Sequence, residues 1–425
     1  MSAPWSFLRE FPRFRRLWIA TSLSELGSSV ARIAFILLVH QRAVLRGGAP
    51  ESANALMLIL ETLPMVFLGP VAGALVDRWD RRSLLVGASC LQALVLASVP
   101  LAARLDAVWP LYALAMLIAA ISTVFAPARQ SAIPDLVGVE RSATANSISS
   151  STTSLMFIAG AALAGLMLDR FGKDGCFWLA AASLAFAALW LVPLALPRHS
   201  SADDATRKTG VLALIGEIAD GLRYVRTQPT LVYITSCFVM AFVFIGIWFP
   251  LVPEYLRRDL GVDADLWMPR SWMAFGLGGI VGGACGAAIG RRFGMGRTLV
   301  LIFFVEPLQV MAYYFVHSAP VMIVLSFTWG VIAFAYFVQE QTILHEDVPA
   351  ELRGRVFGMM PPLQALGTLV ANGIVLAEAG SLAPRTLLLI SGASYLAMSI
   401  LFTTQMRGAR LLWRREQSVQ RVREP

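Results

Sequence analysis

Residues 73–82 read GALVDRWDRR, and residues 286–297 read GAAIGRRFGMGR. Each stretch lies between two long apolar runs, and the second begins 213 residues after the first in a chain of 425 residues. A second pair of segments, RQSAIPDLVGVER from Arg129 and EQTILHEDVPAELRGR from Glu340, begins at positions 211 residues apart. Chance similarity between arginine-rich loops does not require equal spacing. The two matching offsets therefore indicate a duplicated unit, repeated in parallel orientation.

The composition is that of a membrane protein. Hydrophobic residues make up 57% of the chain and charged residues only 15%, whereas soluble domains carry roughly 25% charged residues. About 20 consecutive apolar residues cross a bilayer as a helix. The stretches that reach this length are 17–40, 53–76, 83–103, 109–128, 144–169, 175–197, 229–256, 268–290, 297–316, 319–340, 354–378 and 384–406. They predict an all-α membrane protein with twelve transmembrane helices in two pseudo-symmetric six-helix bundles.

A polar stretch divides the spans into two sets of six. It predicts an N-terminal six-helix bundle over residues 1–197, a cytoplasmic linker over 198–228, and a C-terminal six-helix bundle with a basic cytoplasmic tail over 229–425. The linker contains VLALIGEIADGLRYV. The mixture of apolar and charged residues in this piece predicts an amphipathic helix that lies on the membrane surface.

The positive charge is distributed unevenly. If both termini are cytoplasmic, that side holds 25 of the 35 Lys and Arg residues, the other side holds nine, and Arg32 lies inside a span. This asymmetry sets the orientation by the positive-inside rule and accounts for the net charge of +8 without nucleic acid. We expect no metal site and no cofactor, because the histidines form no ligand cluster and the ATP-binding GxxxxGK[ST] loop is absent.

The loop after the second span carries the pattern GxxxDRxxRR, which resembles the signature loop of the major facilitator superfamily. FAPARQSAIPDLV, ATANSI and VPAELRGRVFG resemble the branch that includes bacterial enterobactin and macrolide exporters. The resemblance implies a monomeric secondary transporter of the bacterial inner (plasma) membrane, without enzyme activity. It also implies alternating access around a central cavity, and export of amphiphilic drugs or siderophore-like molecules driven by proton entry.

The signature loop suggests a conformational lock. A glycine lets another helix approach closely, an acid suits the positive N-terminal end of a helix, and arginines bind carboxylates or carbonyls. The resemblance assigns conformational gating to Gly73, Asp77, Arg78, Arg81 and Arg82. The candidate counterparts in other loops are Arg129, Arg353 and Arg355. The alternative is that these arginines only enforce topology. Gly290 stands where Asp77 stands in the first half, so the two locks are expected to be unequal.

The first span carries a polar stripe at helical spacing: Thr21, Glu25, Ser28, Ser29 and Arg32. At about 1.5 Å of rise per residue, Arg32 and Glu61 of the second span lie at the same depth, so they are expected to pair or to share a hydrated cavity. Glu25 lies about 10 Å from Arg32 along the helix axis and has no obvious partner. A carboxylate left unpaired in dry surroundings takes up a proton, so Glu25 is the first candidate proton carrier and Glu61 the second. The alternative for both acids is a structural role.

Glu306, in the ninth span, is a further candidate to contact substrate or the coupling ion. Two departures from common antiporter patterns leave other functions open. The fifth span has IAGAALAGLML without proline, and Ser28 replaces a common acid. The alternatives are an uncoupled facilitator, a lysophospholipid flippase and a non-transporting membrane receptor.

Overall fold

The computed structural model describes residues 4–105, 107–196, 211–378 and 380–414. In this part of the chain all regular secondary structure is helical. The N-terminal helices are α1 (Pro4–Glu10), α2 (Pro12–Leu45), α3 (Pro50–Arg78), α4 (Arg81–Ala102), α5 (Trp109–Val137) and α6 (Ser142–Leu191). They are followed by α7 (Val211–Thr227), α8 (Pro229–Glu254), α9 (Ala264–Phe293), α10 (Met295–Ala312), α11 (Ala319–Asp347), α12 (Ala350–Glu378) and α13 (Pro384–Gln405).

Eleven helical segments in the described residues are long and apolar enough to cross a membrane. The longest, Val139–Leu191, has 53 residues, which is about 80 Å of helix and far more than the roughly 30 Å hydrocarbon core. Gly172 has φ +63° and ψ −167°, a conformation that breaks the helix and suits glycine. The segment therefore crosses twice, as the fifth and sixth predicted spans, and the predicted all-α membrane fold is confirmed.

Several helices are longer than the spans predicted from hydropathy. The first span was expected at 17–40, but α2 runs from Pro12 to Leu45, and α11 continues seven residues beyond the expected end at position 340. Hydropathy reports only the part of a helix that suits hydrocarbon, whereas the hydrogen-bonded helix continues into the interface. Proline at the first turn starts α2 and α8, where its missing N–H leaves no bond unmade. Asp80 caps α4 by accepting a 2.9 Å hydrogen bond from the Ser83 N–H.

The chain divides into two compact units. The first comprises Met1–Ala53 and Met57–Leu214, and the second comprises Asn54–Leu56 and Ile215–Pro425. The core of the first unit joins α2, α4, α5 and α6 through buried side chains such as Phe14, Leu85 and Ile133. A Cβ at Gly160 would overlap the Ser29 side chain, so part of the polar stripe of α2 is helix-packing surface against α6.

In the second unit, glycines allow α9 and α11 to pack with their backbones in contact. A Cβ at Gly278 would overlap the Phe327 carbonyl, and one at Gly282 would overlap the Val331 carbonyl. This is small-residue packing of the kind that holds helices together in lipid, where no hydrophobic force drives helices together. The core of the second unit includes the large buried residues Tyr233, Phe303 and Tyr395, on α8, α10 and α13.

The linker helix α7 is held against protein in the second unit. Val225 is buried in its core, and a Cβ at Gly221 would come within 2.8 Å of the Arg355 carbonyl oxygen on α12. The sequence predicted an amphipathic helix on the membrane surface; the structure shows the helix, with one face packed on α12, and its position at the membrane surface stays a prediction. Residues 198–210 of the predicted linker, together with residue 197 before it, and 415–425 of the basic tail lie outside the described residues.

Candidate functional site

The structure places the predicted gating residues at the junction of two helices: Gly73, Asp77 and Arg78 lie at the end of α3, and Arg81 and Arg82 lie at the start of α4. The side chains of Asp77 and Arg78 and the surroundings of Gly73 lie outside the described part of the chain. Arg81 is described: its Nη1 donates to a carboxylate oxygen of Asp135 and, at 3.2 Å, to the Ser131 carbonyl, both on α5. The sequence analysis missed Asp135, although it lies in the repeated segment that begins at Arg129. Arg82 is exposed.

Glu25 and Arg129 form an ion pair. Arg129 Nη1 on α5 lies 3.6 Å from Glu25 Oε1 on α2, and their side chains are 21% and 34% exposed. The expectation that Glu25 lacks a partner is therefore wrong. The depth of charges was compared only between the first and second spans, so Arg129 on α5 was not considered as a partner. The fold brings α5 against α2. Arg129, expected to act as a gating counterpart, here contacts a residue of its own unit.

Arg32 and Glu61 lie close enough for their charges to interact. No nitrogen-to-oxygen distance between them is within 4.0 Å, so they form no direct salt bridge, and the Arg32 side chain is exposed. The expected direct pair is therefore not formed, and the expected hydrated cavity shared by Arg32 and Glu61 stays a prediction.

Glu306 on α10 is the most fully enclosed of the predicted site residues. Its residue surface is 2% exposed. Tyr395 of α13 donates its hydroxyl proton to Glu306 Oε2 at 2.8 Å, and the indole N–H of Trp329 on α11 points to Oε1 at 3.4 Å. Among the described residues no basic nitrogen lies within 4.0 Å of this carboxyl group. Glu306 therefore has two neutral donors and no counter-ion.

Aromatic rings enclose this carboxyl group. Phe244 of α8 stacks on Tyr395 with ring centroids 4.4 Å apart and an angle of 6° between the planes. Phe303 packs edge-on against the same ring at 5.4 Å. On the other side, Trp329 packs edge-on against Trp248 at 5.8 Å. Glu306 of α10 contacts α13 through Tyr395 and α11 through Trp329, and Tyr395 in turn contacts α8 through Phe244. A change at Glu306 therefore affects the packing of these four helices.

Glu340 is a second buried acid, to which the sequence analysis gave no role. Its residue surface is 0% exposed, and neither carboxyl oxygen has a hydrogen-bond partner among the described residues. Tyr336 lies one turn earlier on α11, and its buried hydroxyl also lacks a partner there. The sequence signal that could have identified Glu340 is an acid at the end of the long apolar run 319–340. It was read as the end of a span, because the continuation of α11 to Asp347 was not foreseen.

The arginines of the later repeated segment tie together helices of the second unit. Arg353 donates to the His345 carbonyl at 2.9 Å and to the Val348 carbonyl at 3.0 Å, where α11 ends with unpaired carbonyls. Arg355 Nη1 lies 3.5 Å from an Asp220 carboxyl oxygen on α7. Each arginine therefore has a partner inside its own unit.

The absence of an acid at Gly290 has a local explanation. The side-chain amide of Gln339 fills the space that a Cβ at position 290 would need. The same amide donates to the Gly286 carbonyl at 2.6 Å. At the position that corresponds in sequence to Asp77, the second half therefore has a glycine on α9, and an amide from α11 occupies the space beside it.

Comparison with known proteins agrees with this architecture. A family model described as Major Facilitator Superfamily matches residues 17–372. The multidrug efflux pump Tap of Mycobacterium tuberculosis is 31% identical over 383 residues, which cover 83% of this chain and 84% of Tap. The pump of the same name from Mycolicibacterium fortuitum is 28% identical over 392 residues, covering 88% and 89%.

Solved structures share the fold at lower identity. The nucleoside transporter NupG superposes with a TM-score of 0.71 at 14% identity, over 92% of this chain and 98% of NupG. A bacterial homologue of the human lysosomal transporter Spinster, in an inward-facing and unoccupied conformation, gives 0.67 at 13% identity, over 95% and 97%. With the family model covering most of its length, this chain belongs to the Major Facilitator Superfamily and is a multi-pass membrane transporter.

Proposed function

We propose that this transporter exports amphiphilic small molecules across the bacterial plasma membrane by alternating access, and that proton entry drives the export. The efflux-pump name of relatives up to 31% identical supports the substrate class. The observation that carries the proton coupling is Glu306, a buried carboxyl group held by two neutral donors without a counter-ion. In this proposal both termini lie in the cytoplasm and the working unit is the monomer.

The chemistry at Glu306 explains how a proton changes the conformation. An ionised carboxylate accepts the Tyr395 hydroxyl bond strongly, whereas a protonated acid accepts it weakly and itself becomes a donor. The loss of that bond weakens the contact between α13 and α10, while the stack of Tyr395 on Phe244 of α8 remains. A conformational equilibrium shifts only when the two states differ in such contacts, which is what proton binding supplies here.

The Glu25–Arg129 pair has a different part in this proposal. Glu25 joins α2 to α5 through its ion pair with Arg129, so it is proposed as a lock between these two helices. The charged residues at the junction of α3 and α4 are proposed to bias the same equilibrium; they are Asp77, Arg78, Arg81 and Arg82. Arg32 and Glu61 are proposed to line the hydrated part of the route.

Ethidium, a fluorescent amphiphilic cation, serves as the probe in proteoliposomes with an acidic lumen. Equal potassium concentrations with valinomycin hold the membrane potential at zero, so that only the proton gradient differs between samples. We expect an acidic lumen to accelerate ethidium uptake by the wild type, because protons leave as ethidium enters. Glu306→Gln should lose this acceleration but keep slow uptake without a gradient.

Glu140→Gln is the matched control, because it makes the same change at an exposed residue, and it should behave like the wild type. A wild-type rate indifferent to the gradient would instead establish an uncoupled facilitator. Faster movement of fluorescent lysophosphatidylcholine than of ethidium would establish a flippase. A full gradient response in Glu306→Gln would remove Glu306 from the mechanism.

A further inference from the structure

The chain after α13 forms a helix that begins at residue 407 and is described as far as Arg414. Ala409 and Leu412 on one face are fully buried. A Cβ at Gly296, at the start of α10, would overlap the Leu412 carbonyl. A Cβ at Gly408 would overlap the Pro229 carbonyl at the start of α8. This C-terminal helix is therefore docked closely across one end of the second unit.

The outer face of the C-terminal helix is basic and apolar at once. Arg410 and Arg414 are one turn apart and exposed, and Leu411 and Trp413 are 51% and 42% exposed. Arg297 at the start of α10 donates to the Trp413 carbonyl at 3.2 Å, and its guanidinium lies 5.9 Å from the Trp413 ring centre. Exposed tryptophan and leucine beside arginine are typical of a helix that lies at the headgroup level of a bilayer.

A cavity of about 250 Å³ opens beside this face. It is lined by Val300, Thr403, Ala409, Arg410, Trp413 and Arg414. The Thr403 hydroxyl shares a 3.0 Å hydrogen bond with Tyr233, which holds one wall in place. The cavity thus combines two guanidinium groups with the apolar surface of Val300 and Ala409.

The positive charge at this cavity has no acidic partner among the residues that the structure describes, which end at Arg414. Among the described residues, none of the arginines at this end has a carboxylate within 4.0 Å: Arg297, Arg407, Arg410 and Arg414. Elsewhere in the unit, arginines such as Arg257 and Arg385 have acidic partners. A cluster of guanidinium groups without a carboxylate partner in the described residues attracts anions, and phosphate oxygens match guanidinium geometry.

We propose that this cavity binds the phosphate of an anionic phospholipid from the cytoplasmic leaflet. Arg410 and Arg414 contact the phosphate, and Trp413 and Val300 contact the glycerol and upper acyl region. The apolar wall favours a lipid over a free phosphate ion, because a lipid can bury apolar surface against Val300 and Ala409 and a phosphate ion has no such surface. The arginine distribution also assigns this end to the cytoplasmic side, where anionic lipids attract basic segments.

The test measures lipid binding to the full-length protein in detergent by native mass spectrometry. Phosphatidylglycerol, phosphatidylcholine and inorganic phosphate are titrated separately. We expect the wild type to prefer phosphatidylglycerol. Arg410→Ala with Arg414→Ala should weaken that binding by about fivefold for each arginine removed. Arg410→Lys with Arg414→Lys should weaken phosphatidylglycerol binding less than the alanine pair does. The lysines keep the positive charge but cannot make the paired guanidinium hydrogen bonds.

The matched control is Arg291→Ala with Arg292→Ala. It removes two exposed arginines from the last turn of α9, on the same predicted side, and neither arginine lines the cavity. The control should bind phosphatidylglycerol like the wild type. An equal loss in the control would show nonspecific charge attraction, and equal binding of the two lipids would show no headgroup site. Competition by inorganic phosphate at the same concentration as the lipid would show an anion site rather than a lipid site. Each of these results would overturn the proposal.

Discussion

The hydroxyl group of Tyr395 lies 2.8 Å from Oε2 of Glu306 and donates a hydrogen bond to it, while the ring of Tyr395 is stacked on Phe244. One side chain thus joins an acid on α10 to an aromatic ring on α8. The bond depends on the charge of the acid, and the stack does not. Proton binding at Glu306 therefore changes one of these two contacts and leaves the other.

Tyr395→Phe separates these two contacts. The substitution removes the hydroxyl donor but keeps the ring that stacks on Phe244. We expect a loss of about 1–3 kcal/mol in the free energy of unfolding, because the buried carboxyl group loses its better donor. Thermal unfolding in detergent measures this loss. Tyr314→Phe, at a half-buried ring, is the control, and an equal loss there would contradict the assignment.

Glu340→Leu is expected to stabilise the protein. The buried carboxyl group of Glu340 has no hydrogen-bond partner among the described residues, so no contact there offsets its desolvation. Replacing it by an apolar side chain of similar size removes this desolvation cost of about 1–3 kcal/mol. Glu140→Leu, at an exposed residue, should change stability by less than about 0.5 kcal/mol. If the first variant unfolds at lower temperature than the wild type, Glu340 makes a stabilising contact and the prediction is wrong.

The Glu25–Arg129 pair should couple weakly. The two side chains are partly exposed and 3.6 Å apart, and such pairs contribute less than about 1 kcal/mol. A double-mutant cycle with Glu25→Gln and Arg129→Gln measures the coupling free energy from thermal unfolding. A value of several kcal/mol would show a dry, fully formed salt bridge. Transport by the charge-reversed pair, Glu25→Arg with Arg129→Glu, then tests whether the lock depends on charge or on residue identity.

Two adjacent glycines of α9 should respond in opposite ways. Gly282→Val places a side chain into the backbone of Val331, so we expect loss of monodisperse protein. Gly283 has nothing within 4 Å of the Cβ position, and Gly283→Ala should be tolerated with a gain in helix propensity of up to about 1 kcal/mol. Size-exclusion profiles of the two variants check this. Normal folding of Gly282→Val would show that α9 and α11 are free to separate.

Some of the structure was predictable from local sequence. The spans followed from the length of apolar runs, because the hydrocarbon core has a fixed thickness. Glu306 was identified as a candidate because an acid inside an apolar run is costly anywhere in a bilayer. The helix ends were less predictable, since hydrogen bonding continues the helix where hydropathy no longer reports it.

The partners of the polar residues were not predictable in the same way. Glu25 was expected to be alone and is paired with Arg129, and Asp135 was not foreseen as the partner of Arg81. Spacing along one helix fixes which face a residue occupies but not which helix covers that face.

By itself, the sequence determined that the chain is a helical membrane protein with two related halves, because composition, run length and repeat offset are properties of the chain alone. Only the tertiary structure decided which charges are paired, which acids are enclosed and which arginines remain without a partner. The physical reason is that the free energy of a buried charge depends on the donors that other helices bring to it. Those helices lie tens to hundreds of residues away along the chain.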